Sequence, residues 1–311
     1  MKEISVIGAT SLLGINLVSL LAENGYKIYA SYRSESRVPN SWRKNPSIVL
    51  QKLDLSKQTD FARFCRETIV WLAHLEQGRF NERETEVNLK PFENFLHQTQ
   101  NSLTEKFVFV SSGGSVYGEP LFLPITEEHP RNPLSSYGKT KRAMEDALSE
   151  FGQTHNLKTV IIRPGNIYGF ENPHRESKGI IGAFLNSIRT NTPFTLIHKG
   201  QTVRDFVHVE DVSRAILSAI ERNQQQITWN VSGGKGYSIA EIIKLILEKS
   251  GFENPPINHI ENFSSDVSRN ILSIDCITSE SNWLPLINIE DGISKTIENW
   301  LKFENSLSKI I

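Results

Sequence analysis

The sequence predicts an α/β fold, a doubly wound parallel sheet with a smaller C-terminal α/β domain, and three observations carry that prediction. Short apolar, β-rich runs alternate with longer helical patterns from the start, as in a parallel sheet covered by helices. One of them, Ile69-Val70-Trp71-Leu72-Ala73, is apolar throughout and too short for a helix, which marks a strand buried on both faces. A chain of 311 residues with 38% hydrophobic side chains is long enough for a large domain plus a small one.

The elements follow in order. "EISVIGA" reads as a strand, "LLGINLVSLLAENG" as a helix and "YKIYASY" as a second strand, with further strands at "IVL", "TIVWLA", "KFVFVSS" and "TVIIRPGNIYG". In "YGKTKRAMEDALSEFGQTHN", Ala143, Met144, Ala147, Leu148 and Phe151 form one helical face, which predicts a long helix carrying Tyr137 near its start. Residues 170–206, rich in Asn, Gly, Pro and charge and interrupted by the helical "IIGAFLNSIRTN", suggest a smaller lobe. "VRDFVHVEDVSRAILSAIE" is then a strand and helix, and "SIAEIIKLILEKSG" and "IEDGISKTIENWLKF" are C-terminal helices. The expected plan is a first domain over residues 1–168, receiving part of about 205–230, and a second domain mainly over 169–311.

A formal net charge of -1 provides no overall basic field for nucleic acid and no acidic bulk. Cys65 and Cys276 lie far apart without CxxC or CxxxH spacing, so neither a disulfide framework nor a metal site is expected. The apolar N-terminal run holds two glycines at fixed offsets and no small-residue cleavage pattern. It reads as strand, turn and helix rather than a signal peptide. No run approaches the ~18 apolar residues of a membrane span, and the expected location is the cytoplasm.

"VIGATSLLG" places Gly8 directly after the first strand and Gly14 in the first helical turns. In a βαβ unit such glycines allow a tight turn, backbone approach to a pyrophosphate and close helix–strand packing. Here the middle position is Ser11, small enough to keep the turn and able to offer a hydroxyl to phosphate at the helix N-terminus. Gly8, Thr10, Ser11, Leu12, Leu13 and Gly14 are assigned to this loop. An NAD site usually carries an acidic residue ~20 positions on, at the end of the second strand. This chain has Ser31 and Arg33 there, which suit a 2′-phosphate and favour NADP, with NAD as the alternative. Arg33 and Arg37 could equally be solvated surface charges.

"SSYGKTK" sets Tyr137 and Lys141 four residues apart, on one helix face. A phenol, with a pKa of about 10, is a poor base at neutral pH, but a neighbouring ammonium favours its ionised form.

With these pieces in place the chain resembles the extended short-chain dehydrogenases/reductases, in their NAD(P)-dependent nucleotide-sugar epimerase/dehydratase/reductase group. The resemblance covers nearly the whole chain. It rests on "GATSLLG", "LDL" at 53–55, "WLAH" at 71–74, Asn88, "SSGGSVYG", "YGKTK", "RPGNIYG", "RDFVHVEDV", "NWLP" and "IEDGI". It implies a Rossmann-like domain for the dinucleotide, a small C-terminal domain for a nucleoside-diphosphate sugar, and commonly a homodimer. By the same match Asp54 and Leu55 flank the adenine, Leu72 and Ala73 pass under the cofactor, and Pro164 borders the nicotinamide. Tyr137 and Lys141 serve both cofactor and catalysis, and Asn166 and Arg204 address the substrate diphosphate. Asn166 could instead form a turn, Asp205 a salt bridge, and His208 reads as a satisfied core histidine.

The departures from the family pattern narrow the chemistry. Where dehydratases carry Asp-Glu, this chain has Gly114 and Ser115; no Cys–His pair matches those of multi-carbon epimerases. Hydride chemistry at one carbon remains, with an NADP-dependent 4-ketoreductase favoured over a 4-epimerase using tightly bound NAD. An inactive dinucleotide-binding regulator is the remote alternative. Phe263 precedes Asp266 where relatives carry a diphosphate-binding arginine, and Arg269 is the candidate replacement. The family's hydroxyl position in "SSGGSVYG" is Gly113, so the hydroxyl must come from Ser112, 25 residues before Tyr137, or from Ser115. Ser112 is preferred.

Overall fold

The computed structural model describes residues 2–57, 60–75, 83–170, 179–260 and 267–307. The first half alternates strand and helix: β1 Glu3–Ile7, α1 Leu12–Glu23, β2 Lys27–Tyr32, β3 Ile48–Lys52, β4 Thr68–Trp71, α2 Glu84–Thr99, β5 Lys106–Val110, α3 Ser136–His155 and β6 Lys158–Pro164. The second half holds β7 Asn166–Tyr168, α4 Ile180–Thr190, β8 Phe194–Ile197, β9 Val203–His208, α5 Val209–Glu221 and β10 Gln226–Val231. It ends with β11 Gly236–Ser238, α6 Ile239–Ser250, β12 Ile257–Ile260, α7 Asp275–Ser281 and α8 Ile289–Leu307.

Seven parallel strands form the main sheet in the order β10-β6-β5-β4-β1-β2-β3. Strand order reverses at β1, and the crevice beyond the carboxyl ends of β1 and β4 is where such sheets bind ligands. Alternate residues of each strand enter opposite cores. Val108 and Val110 of β5 join the layer containing α1 and α5, whereas Phe107 and Phe109 face the aromatic layer of α2 and α3, with Trp71, Phe92 and Phe95. Burial on both faces explains why these strands read as continuous apolar runs. The predicted strand 69–73 ends at Trp71; Leu72 and Ala73 already belong to the loop above the sheet.

The chain leaves this sheet at β7, which joins β9 and β11 in a three-stranded sheet, while β8 and β12 pair in another. A third core, including Phe184, Ile242, Ile246 and Ile293, fills the space among α4, α6 and α8. Residues 209–231 return to the main sheet through α5 and β10. Among the described residues, no helix is long and apolar enough to cross a membrane.

A buried ion-pair network fixes α3 against β6. Glu145 is fully buried; its carboxylate accepts from Arg163 Nη2 at 2.7 Å and Nε at 3.1 Å, and from Arg131 Nη1 at 2.9 Å. Arg163 Nη1 also donates to the Tyr117 hydroxyl at 2.9 Å, which donates to Asn230 Oδ1 at 2.7 Å.

Candidate active site

The glycine turn forms because β1 delivers Gly8 in the left-handed region, at φ 88°. A Cβ there would lie 2.9 Å from Ala73 N, so the loops after β1 and β4 run side by side at the switch point. Gly14 does what the sequence pattern implies: a Cβ would lie 2.3 Å from Ala9 O, closing α1 against the turn. Ser11 caps α1, its Oγ accepting from Gly14 N at 3.0 Å. Ser31 is buried, and its Oγ accepts from Gly8 N at 2.9 Å, so its oxygen holds the turn from β2.

Above this turn lies a cleft of about 1180 Å³. Gly8, Thr10, Ser11, Leu12 and Leu13 line one end, with Ser31, Arg33, Leu55, Leu72 and Ala73. Arg37 joins Arg33 at the rim, both side chains exposed. Asp54 is not on the cleft wall. Its carboxylate accepts from Ser56 N and Oγ, and those bonds hold it below the usual carboxylate range. Leu53 lines the cleft without having been singled out by the sequence.

Tyr137, Lys141, Ser112, Ser115 and Pro164 line the same cleft. Ser135 caps α3, its Oγ accepting from Gly138 N at 3.1 Å, so Tyr137 enters the cleft from the first helical turn. Lys141 Nζ donates to Val110 O at 2.9 Å and lies 4.8 Å from the Phe109 ring centroid and 5.8 Å from that of Tyr137. Burial pushes this ammonium down to about 8.

Gly113 is not on the cleft. A Cβ there would meet Leu272 Cδ1 at 2.6 Å and Arg163 O at 2.9 Å, so a hydroxyl at this position would point into the packing behind the strand end. Gly114 faces the opening: a Cβ would lie 3.3 Å from Asn166 Oδ1 and 3.9 Å from Ser112 Oγ. Ser112 and Asn166 therefore flank one space.

At the far end are Asn166, Tyr168, Phe170, Ile180, Ile181 and Arg204. Arg204 is buried, with Nη1 donating to Val203 O at 2.8 Å. Arg269 is exposed, bridges Val203 through its backbone and stands off the cleft wall. Phe263 and Asp266 lie outside the described residues. His208 is a core histidine at the start of α5, accepting from Glu210 N and packed edge-on against Tyr168.

Asp205 forms no ion pair among the described residues. Its Oδ2 accepts from Leu272 N at 3.2 Å, and burial raises its carboxyl to about 7. The folded chain thus holds this proton more tightly than the unfolded chain, whose carboxyl titrates at about 3.9. The contribution to stability is full below about pH 4 and is lost as pH rises through 7. Asp205→Asn is expected to remove that loss, on the order of 4 kcal/mol, so variant and wild-type urea midpoints measured at pH 4 and pH 8 should converge at the lower pH and separate at the higher.

Sequence reasoning missed His74 and Glu84. His74 lines the cleft and meets the Tyr137 ring edge-on, and its Nε2 donates to Glu84 at 2.9 Å. The histidine was visible in "WLAH"; its pairing with a residue ten positions on was not.

Comparison with known proteins agrees with this layout. The chain is 28% identical to a putative UDP-glucose 4-epimerase of Methanocaldococcus jannaschii, over 97% of this chain and 99% of that protein. It is 27% identical to a dTDP-4-dehydro-6-deoxyglucose reductase of Escherichia coli, over 75% and 76%. Among solved structures, UDP-glucose 4-epimerase from Thermotoga maritima with UDP-glucose superimposes with a TM-score of 0.85 at 26% identity, over 96% of this chain and 99% of that one. The Thermus thermophilus UDP-glucose 4-epimerase complex with NAD gives 0.83 at 27% identity, with the same coverage. Residues 4–232 match the model of the NAD dependent epimerase/dehydratase family, a span that takes in the whole main sheet and the Tyr137 helix, and the chain belongs to that family, within the extended short-chain dehydrogenases/reductases.

Proposed function

We propose that this protein is an NADP-dependent 4-ketoreductase of a nucleoside-diphosphate 4-keto-6-deoxy sugar. The observation that carries this reading is the rim beyond β2, where Arg33 and Arg37 line the cleft and, among the described residues, no carboxylate does. Glu35 lies between them in sequence, but its carboxylate accepts from Tyr32 and Arg43. Two guanidinium groups suit a 2′-phosphate, which an acidic residue would repel.

The residues present fit a dinucleotide. Gly8 lets the backbone pass where a side chain would collide with Ala73, and the first turn of α1 opens on the cleft. A dinucleotide held there would supply hydride for reduction of the sugar's C4 carbonyl. Tyr137 donates its hydroxyl proton to the carbonyl oxygen, and Lys141 favours the phenolate left behind. Ser112 holds the sugar beside Gly114, and Asn166 and Arg204 face the diphosphate. In this reading residues 1–168 with part of 205–230 hold the cofactor, and the later segments hold the sugar.

Arg33→Ala is expected to weaken NADPH binding by roughly 10- to 100-fold, the worth of a charge-assisted pair, while NADH binding stays within about twofold. Fluorescence titration measures both, and tighter wild-type binding of NADH than of NADPH would overturn the NADP assignment. Loss of NADPH absorbance with a nucleotide-linked 4-keto-6-deoxy sugar tests the reaction. A second reading, a 4-epimerase using NAD, is supported by the relatives named 4-epimerase that span the full chain. Interconversion of UDP-glucose and UDP-galactose without net NADPH consumption would establish it instead.

A further inference from the structure

We propose that His74, anchored by Glu84, is a positioning residue that fixes the Tyr137 ring for proton transfer. The inference rests on Tyr137 being the proton donor of the reading above. His74 follows Leu72 and Ala73 on the loop after β4, and its ring centroid is 4.8 Å from that of Tyr137 at an interplanar angle of 79°. Such an edge-to-face pair is attractive and directional. Lys141 lies beyond the same ring, its Nζ 5.8 Å from the centroid, so neighbours on two elements bound the phenol.

The imidazole is itself held. Its Nε2 donates to Glu84 Oε1 at 2.9 Å, and the two side chains are 11% and 7% exposed. Glu84 opens α2, where the helix dipole favours a carboxylate. Asn88, one turn on, clamps both ends of the pair: its Nδ2 donates to Leu75 O and Glu84 O at 2.9 and 2.8 Å, and its Oδ1 accepts from Leu75 N at 2.7 Å. Thr85 and Thr140 join α2 to α3 through a hydroxyl contact of 2.9 Å beside the pair. The loop, α2 and α3 thus form a braced frame from which His74 projects against the phenol.

A tyrosine on a helix turns about two side-chain bonds, and proton transfer requires its oxygen within hydrogen-bond reach of the reacting atom. A misplacement of ~1 Å can cost up to 100-fold in rate. The frame removes that freedom before substrate arrives.

The test uses full-length protein labelled with fluorotyrosine, the Tyr137 fluorine signal being identified by its absence in Tyr137→Phe. In His74→Ala this signal should move toward that of an exposed, mobile tyrosine; Glu84→Gln, which keeps an acceptor, should retain the wild-type position that Glu84→Ala loses. Turnover should fall about tenfold in His74→Ala, with KM for sugar and cofactor within about twofold and Glu84→Gln recovering most of the loss. A Tyr137 signal unmoved by His74→Ala and Glu84→Ala overturns the inference whatever the substrate. A signal that moves as expected in a wild-type protein active on neither sugar class upholds the positioning and overturns the substrate reading. A His74→Ala effect confined to KM also overturns it, because a misplaced donor acts on the chemical step.

Discussion

Tyr137→Phe is expected to lower turnover by about 10³-fold while leaving the affinity for NADPH within about threefold. Loss of a positioned general acid costs roughly 10²–10⁴-fold, and among the described residues no other hydroxyl of the cleft wall is seen beside an ammonium. Ser112 and Ser115 reach the same space, but a serine hydroxyl is a far weaker acid than a phenol and neither lies on the Lys141 face of α3. Lys141 is held by Val110 O behind the tyrosine, so removing the phenol oxygen leaves that anchor intact. Stopped-flow hydride transfer and a binding titration separate the two quantities. A fall in NADPH affinity matching the fall in rate would show Tyr137 to be a binding residue only. The same arrangement sets a pH limit. Burial holds Lys141 at about 8 in the free protein, so its cationic form predominates below that pH and is lost above it. On the proposed 4-ketoreductase reading, turnover by the wild type should decline as pH rises through 8.

The glycine loop, the helix carrying Tyr137 and the order of strands and helices were legible because each depends on local chemistry: a turn needing φ above zero, a cap, a period of 3.6 or an uninterrupted apolar run. What the sequence left open depends on direction and on distant partners. Gly113 looked like a lost hydroxyl, yet its missing side chain would have pointed at Leu272, more than 150 residues away. Ser31 lines the cleft rim, and its oxygen also accepts from Gly8 N, a contact 23 residues apart that the sequence does not show. Arg269, the candidate to replace the arginine missing at Phe263, pairs through its backbone with Val203 and stands off the cleft wall. His74 and Glu84 meet only because α2 folds back over the β4 loop. Asp205 stands next to Arg204 in the chain, but strand alternation sends the two side chains to different surroundings.

Glu145→Ala is expected to destabilise the protein by about 3–5 kcal/mol. The carboxylate is fully buried and accepts hydrogen bonds from Arg131 and Arg163. Arg163 is buried too, and its partnership with Glu145 raises its affinity for a proton further, so the guanidinium stays charged when its counterion is removed. An uncompensated charge would then remain between α3 and β6. Replacing both partners, in Glu145→Leu with Arg163→Met, should cost much less than the sum of the single changes, because the pair's desolvation penalty leaves with it. Urea unfolding of the four-protein cycle measures this coupling, and additive losses would show that the two side chains act independently. The network also reaches the candidate active site. Glu145 lies one helical turn beyond Lys141, and its charge raises the Lys141 pKa against the opposing effect of burial. Glu145→Gln keeps the shape and removes the charge, so the alkaline decline of turnover should begin below pH 8. A decline unmoved by that substitution would mean that Lys141 is set by burial alone, with the ion pair serving only to join helix and strand.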